Sequence, residues 1–169
     1  MRIIETERLY LRELHINDKK DLMRVLSDSE SMKHTLDPFS EEKVEKWIEW
    51  NIENYKKYNH GLWAVMLKED ETFIGDCGIT MQCIENETVP EIGYHIIRQY
   101  CNKGYATEAA LACKKYALEV LGYTEVFSYC KVQNIPSQKV AAKIGMRFYK
   151  YFELLGEKEI VHVASREQS

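Results

Sequence analysis

The run Glu91-Ile-Gly-Tyr-His-Ile-Ile97 has the look of a strand, and it leads into Cys101-Asn102-Lys103-Gly104-Tyr105-Ala106-Thr107-Glu108, where a helical pattern starts at once. The first N–H groups of a helix have no partner inside it, and the helix dipole favours negative charge there. A strand–turn–helix of this kind is a ready anion site. Gly104 lets the backbone come close to a phosphate, and Lys103 adds positive charge. A single glycine at such a turn is also a common plain connection, so the turn alone leaves both roles open. The spacing G-x-x-x-x-G-K-[ST] is absent, and no G-x-G-x-x-G opens the helix. Farther along, "CKVQNIPSQKVAAKIGM" places Asn134, Ser137 and Lys139 just after a strand end.

Other reactive residue types give less. Cys101 stands near the helix start, where a thiol gains acidity and can serve as a nucleophile. The five cysteines are odd in number and form no C-x-x-C, so no zinc site is expected. Free thiols fit a reducing cytoplasm. His95 and His162 fall in strand patterns and read as core or surface residues rather than catalytic ones.

Composition limits the partners. The 169 residues fit one domain, 1–169, able to bury a full core. Apolar content of 45% with 30% charged residues describes a globular chain. A net charge of −4 disfavours a nucleic-acid partner. No apolar run reaches about 18 residues, so no membrane span is expected. The opening "MRIIETERLYLRELH" lacks the apolar stretch of a signal peptide. A cytoplasmic protein is the expectation.

Several elements must position the turn. Leu9, Leu11 and Leu14 mark a first strand over 8–14. Asn17-Asp18 can cap a helix bearing Leu22, Val25 and Leu26. Ser40, with Lys43 three residues on, begins an incomplete capping box before Val44, Trp47, Ile48, Ile52 and Tyr55. Trp47 and Trp50 read as core, with a substrate cleft as the sharper alternative. Strands follow over 61–68, 72–84 and 89–97, the first two joined as a hairpin by Glu69-Asp70-Glu71. The helix over 105–121 carries a face of Ala106, Ala109, Ala110, Cys113, Ala117 and Val120, small enough to lie close to a sheet. Gly122 ends it. A strand over 125–132, a helix over 135–145 with Pro136 early, and a final strand pair complete the order β-α-α-β-β-β-α-β-α-β-β.

"EIGYHII…KGYATEA" followed by "VQNIPSQKVAAKIGM" resembles the acetyl-CoA-binding core of the GNAT N-acetyltransferase superfamily. "TERLYLREL" resembles the first strand of its subgroup of ribosomal-protein N-terminal acetyltransferases. The likeness runs over nearly the whole chain and is most specific over 91–146. It implies an α+β fold: a mixed, mostly antiparallel sheet with a splayed central strand pair and flanking helices. It also implies transfer of an acetyl group from acetyl-CoA to a primary amine by direct attack in a ternary complex.

Site residues follow from the resemblance. The family turn [Q/R]-x-x-G-x-[G/A] appears as Cys101 to Ala106, with Cys101 in place of Gln or Arg. Cys101, Asn102, Lys103, Gly104, Tyr105, Ala106 and Thr107 are thereby implied to cradle the CoA pyrophosphate, mainly through backbone N–H groups. Asn102 tolerates a left-handed conformation better than most residues. Ile96 and Ile97 are implied to pair with the pantetheine arm as an added strand would, and a backbone N–H in the strand gap to bond the thioester oxygen. Asn134 would bond the pantetheine, with a turn or cap role as its alternative, and Lys139 completes the cofactor set.

Glu91 occupies the position of a family glutamate that acts as base, directly or through water. The tyrosine that many members use to protonate the thiolate is replaced by Ala141; Ser137 matches a serine of the ribosomal-protein subgroup near that thiolate. Tyr94, Tyr105, Tyr149 and Tyr151 are alternatives. The acceptor is a peptide N-terminal α-amine or a small amine or polyamine. Glu41, Glu42, Glu45 and Glu49 form an acidic stretch that would attract a cation or simply face solvent. A non-catalytic acyl-CoA sensor is the other class of function. No metal is expected, and a homodimer through the sheet or the C-terminal strands is compatible with the pattern.

Overall fold

The computed structural model describes residues 1–166. Its strands are β1 (Arg2–Glu5), β2 (Leu9–Glu13), β3 (Leu62–Leu67), β4 (Phe73–Ile84), β5 (Glu87–Ile96), β6 (Glu125–Lys131), β7 (Arg147–Leu154) and β8 (Glu157–Ser165). They form one eight-stranded sheet in the order β1-β2-β3-β4-β5-β6-β8-β7. Its helices are α1 (Lys19–Leu26), α2 (Ser29–Met32), α3 (Glu41–Tyr58), α4 (Tyr105–Lys115) and α5 (Ile135–Lys143). All described strand pairs are antiparallel except β5 with β6, which is parallel. This is the expected α+β architecture. No helix among the described residues is long and apolar enough to cross a membrane.

Strand alternation sorts the core into two faces. Tyr10, Ala64, Met66 and Phe73 pack with Leu22, Val25 and Leu26 of α1 and with Val44 and Ile48 of α3. Their strand neighbours Leu9, Leu11, Trp63, Val65 and Ile74 join Ala109, Ala110 and Cys113 of α4 on the other core. Small side chains bring α4 so close that Cys113 Sγ lies 3.7 Å from Cys77 Sγ of β4. A π-helical turn over Tyr116–Val120 extends α4.

Several expectations need correction. β1 precedes the first expected strand and pairs with it, and α2 is an extra short helix. Asp18 makes no side-chain cap to α1. It is instead buried, gripped by Arg12 at 2.9 Å and by the His15 amide at 2.7 Å. Val120 leaves the small-residue face and is 65% exposed. Ser40 does cap α3, accepting from the Lys43 amide at 3.2 Å.

The sheet around the site depends on close backbone approaches at Gly75 and Gly78. Gly78 of β4 faces Leu62 across β3 and Gly93 across β5. A Cβ on Gly78 would sit 2.0 Å from the Gly61 carbonyl oxygen and 2.8 Å from Leu62 Cα. Backbone atoms cannot yield as side-chain ends can. Gly78→Ala should therefore cost about 3 kcal/mol or more, read as a lower midpoint in denaturant unfolding; a midpoint equal to wild type would show that the strands do not approach this closely.

Candidate active site

Strands β5 and β6 share the single register pair Glu91–Phe127 among the described residues. The chain of β5 beyond Glu91 is still paired to β4, up to Ile96 opposite Gly75. β6 is still paired to β8, down to Lys131 opposite Glu159. The two strands therefore diverge in the middle of a continuous sheet. Few contacts bridge the start of the gap: Ser128 Oγ donates to the Ile92 carbonyl at 3.4 Å, and the Tyr129 amide donates to Glu91 Oε2 at 3.4 Å. Unpaired strand backbone facing such a gap can bond an extended ligand.

Glu91 sits at the apex and is only 9% exposed. Burial pushes its carboxyl up to about 8, and the Tyr129 amide pulls weakly the other way. A carboxyl in that range, ionised as pH passes about 8, can take a proton from an amine. Its side chain has room because the next residue on the same face is Gly93, whose added Cβ would lie 3.5 Å from Glu91 Oε1.

On the opposite face of β5, Tyr94 reaches α5. Its hydroxyl donates to Ser137 Oγ at 3.1 Å. Two separately considered proton donors are thus one hydrogen-bonded pair. Burial raises the Tyr94 phenol, with the Ser137 contact opposing, so Tyr94 stays protonated. Asn134 Oδ1 accepts the Ser137 amide at 3.3 Å and caps α5, so the cap role is present. Cys130 lies beside this pair; burial lifts its thiol to about 11.

The turn before α4 has anion-site geometry. Gly104 is left-handed (φ 84°) and offers no side-chain cap. The amides of Tyr105, Ala106 and Thr107 open the helix, where a helix supplies no acceptor for them. Asn102 is also left-handed, at φ 63°. Residues 101–104 are exposed. This donor set fits a pyrophosphate.

Cys101 is no activated nucleophile: burial raises its thiol, which donates to the Ile96 and Ile97 carbonyls at 3.5 and 3.8 Å. Ile96 ends the gap edge. Ile97 does not present a free amide, because its N–H bonds the Ile74 carbonyl at 2.8 Å. Its role is to close the strand and fill the α1–α3 core. Lys139 is exposed on α5.

Residues the sequence pattern did not single out hold this turn in place. Glu108 accepts from Thr6 Oγ1 at 2.5 Å and from the Arg8 amide at 2.9 Å, and pairs with Arg8 Nε at 2.8 Å. Arg8 also donates to the Lys103 carbonyl at 3.0 Å and stacks on the Tyr105 ring at 4.3 Å. An acidic residue in a first helical turn was the visible signal; its partners, a hundred residues earlier in the chain, were not visible. Three of the four carboxylates of the acidic stretch of α3 are paired with lysines. Glu41 and Glu45 flank Lys19 at 2.7 and 2.8 Å, and Glu42 pairs with Lys46 at 3.2 Å. No cluster among the described residues could hold a metal ion.

Comparisons with known proteins agree with this geometry. Residues 8–147 match the family model described as an acetyltransferase (GNAT) domain. The chain is 36% identical to the uncharacterised protein YkkB of Bacillus subtilis, over 86% of this chain and 85% of that one. It is 33% identical to the uncharacterised N-acetyltransferase YnaD of the same organism, over 89% and 85%. A GNAT-family acetyltransferase from Bacillus anthracis superposes with a TM-score of 0.83 at 29% identity, covering 97% of this chain and 98% of that one. The ribosomal L7/L12 α-N-protein acetyltransferase RimL, solved with coenzyme A, shares the fold at 18% identity and a TM-score of 0.79, each chain covered in full. With a splayed parallel strand pair, an uncapped glycine turn and a family match over most of its length, this chain belongs to the GNAT acetyltransferases and is an acetyl-CoA-dependent N-acetyltransferase.

Proposed function

We propose that the acceptor is a peptide N-terminal α-amine and that Glu91 removes its proton. The observation that carries this is the burial of Glu91 at the strand divergence, with its carboxyl raised to about 8. An α-ammonium has a pKa of about 8, whereas an alkylammonium lies near 10.4. A base near 8 is matched to the first and weak for the second. The lysine pairing of three α3 carboxylates weakens the feature that would have favoured a polyamine. The fold shared with an α-N-protein acetyltransferase supports the same acceptor class.

Acetyl-CoA supplies an activated acyl carbonyl and a thiolate leaving group. The turn over Cys101–Thr107 holds its pyrophosphate through the amides that open α4, and Lys103 adds charge. The free edge of β5 up to Ile96 aligns the pantetheine arm in the gap. Asn134 turns its remaining amide nitrogen toward that arm while its oxygen caps α5. The acceptor arrives as an ammonium, Glu91 takes one proton from it, and the neutral amine attacks. The second nitrogen proton passes to solvent. Ser137 donates its proton to the thiolate and is reprotonated from Tyr94, its hydrogen-bond donor, and Tyr94 regains a proton from solvent. Cys101 removes a side-chain contact present in relatives with Gln or Arg, leaving that turn to backbone groups.

A turnover panel with acetyl-CoA tests the acceptor: peptides with free α-amines should be acetylated well ahead of spermidine and simple alkylamines, and the reverse order would refute the assignment. Glu91→Gln should remove a rising limb of the kcat profile near pH 8 and lower kcat at pH 9 by on the order of 10²-fold, with acetyl-CoA affinity unchanged. The same variant carries a stability signature. The Glu91 pKa is raised from 4.5 to about 8 on folding. Its contribution is therefore full below 4.5 and is lost as pH climbs through 8. Melting temperatures of wild type and Glu91→Gln should lie close together at pH 4 and separate by pH 9, the variant being higher. Ser137→Ala and Tyr94→Phe should each lower kcat by about 10²-fold. Their double variant should be no slower than either, because they act as one unit; additive losses would separate their roles.

A further inference from the structure

Asp76 is a carboxylate with no exposed surface, placed in the middle of the sheet. Both of its oxygens are engaged: Oδ2 accepts from Trp47 Nε1 of α3 at 3.1 Å, and Oδ1 meets His95 Nδ1 at 2.8 Å. Asp76 and His95 are register partners in β4 and β5, so the pair is locked by the sheet. The His95 ring also packs edge-on against Trp47, with centroids 5.8 Å apart. A carboxylate and an indole N–H buried together are costly to maintain unless they fix something. What they fix is the imidazole: with Nδ1–H given to Asp76, the other nitrogen, Nε2, carries the lone pair. Nε2 has no protein partner among the described residues, and the side chain keeps 18% of its surface open.

Its place on the strand gives it a use. Strand alternation puts His95 on the same face of β5 as Glu91, with Gly93 between them. The glycine adds no side chain of its own between the proposed base and the imidazole, and Leu62 Cδ2 covers it, 3.7 Å from where a Cβ would stand. Trp47 and its neighbour Trp50, with centroids 5.4 Å apart and Trp50 38% exposed, stand on α3 beside this face. Apolar rings around one directed acceptor suit a primary ammonium, which offers N–H donors and a charge that indole faces attract.

We propose that His95, held by Asp76 and Trp47, is the acceptor-binding residue: its Nε2 accepts a hydrogen bond from the ammonium of the incoming amine and sets it beside Glu91. This rests on the proposed function and specifies how its acceptor is recognised. The charged groups around the imidazole are few. β4 contributes Asp76, α3 contributes the uncharged Trp47, and on its own strand the next ionisable group on that face is Glu91. Beyond the strand end, Arg98 pairs with Asp28 at 3.4 Å. Burial lowers the imidazole and Asp76 more than offsets it, so its pKa lies above the ordinary 6.5. Below that pKa both nitrogens hold protons and the imidazolium repels an ammonium. The acceptor KM should therefore rise as pH falls through it.

Acceptor and acetyl-CoA kinetics from pH 5.5 to 9.5, with the best α-amino peptide of the panel, test this. His95→Phe should raise the acceptor KM at pH 8 by roughly 10–100-fold and abolish its rise at low pH, while acetyl-CoA KM and the kcat limb near pH 8 stay in place. His95→Gln, closer in size and polarity, should also abolish the low-pH rise, and it serves if the phenylalanine variant folds poorly. Asp76→Asn should shift the rise to lower pH, and the His95 imidazole titration followed by NMR should shift with it. Wild-type transfer with an acceptor KM profile unchanged in both His95 variants overturns this inference and leaves the proposed function standing. Failure of wild type to acetylate any amine overturns both.

Discussion

The parting of β5 and β6 after Glu91–Phe127 is the constraint from which the site follows. A parallel pair inside a sheet normally bonds along its length, and unpaired strand backbone must find other partners. Here the outer neighbours keep their ladders: β5 remains bonded to β4 and β6 to β8. The gap is therefore rigid rather than frayed. It is a slot with strand backbone on its edges, and its narrow end is closed by a carboxyl. An extended arm placed in it completes the sheet as a missing strand would. α4, which follows Gly104, opens with amides that have no acceptor within the helix. In the proposed mode cofactor binding rests on backbone geometry, so Cys101 can stand in place of a longer polar side chain without dismantling the turn.

Burial supplies the chemistry. Glu91 owes its raised pKa chiefly to desolvation, because the only group opposing it is one amide at 3.4 Å. Tyr94 remains a proton donor for the same reason. Asp76 shows the complementary solution, a carboxylate taken fully out of water but bonded on both oxygens. The adjacent strands β4 and β5 thus carry two buried carboxyls on one face with different surroundings. One is left free to titrate, and the other is used to orient an imidazole. The cysteines near the site, Cys101 and Cys130, have thiols raised by burial, which accords with direct attack by the amine and not with a covalent enzyme.

The clamp of Thr6, Arg8 and Glu108 joins the two ends of the site's framework. It ties the β1–β2 connection to the first turn of α4 and to the Lys103 carbonyl, so the edge of the sheet supports the anion-binding turn. Arg8 is substantially exposed, and a lone surface ion pair contributes little. This one gains from being two-pronged, from the added hydroxyl and amide donors to the same carboxylate, and from the Tyr105 ring beneath the guanidinium.

Local pattern in the sequence determined most elements and the order of the site segments. Apolar alternation marked the strands, small residues marked the buried face of α4, and Gly104 marked the turn, because these features depend on residues close together in the chain. The candidates Glu91, Ser137, Asn134 and the 101–107 turn were legible through the resemblance of their motifs to the GNAT family. Pairings across the chain were not. That Tyr94 meets Ser137, that Glu108 holds Arg8, that Lys19 bridges Glu41 and Glu45 and that Asp76 sits on His95 all depend on which elements are neighbours and which face each side chain takes. His95 shows the difference most clearly. In the sequence it is one more histidine in a strand, and only the register of β4 against β5 puts a buried carboxylate 2.8 Å from its ring. Residue type and spacing determine what chemistry is available; the tertiary structure decides which groups are desolvated together, and so which of them can carry it out.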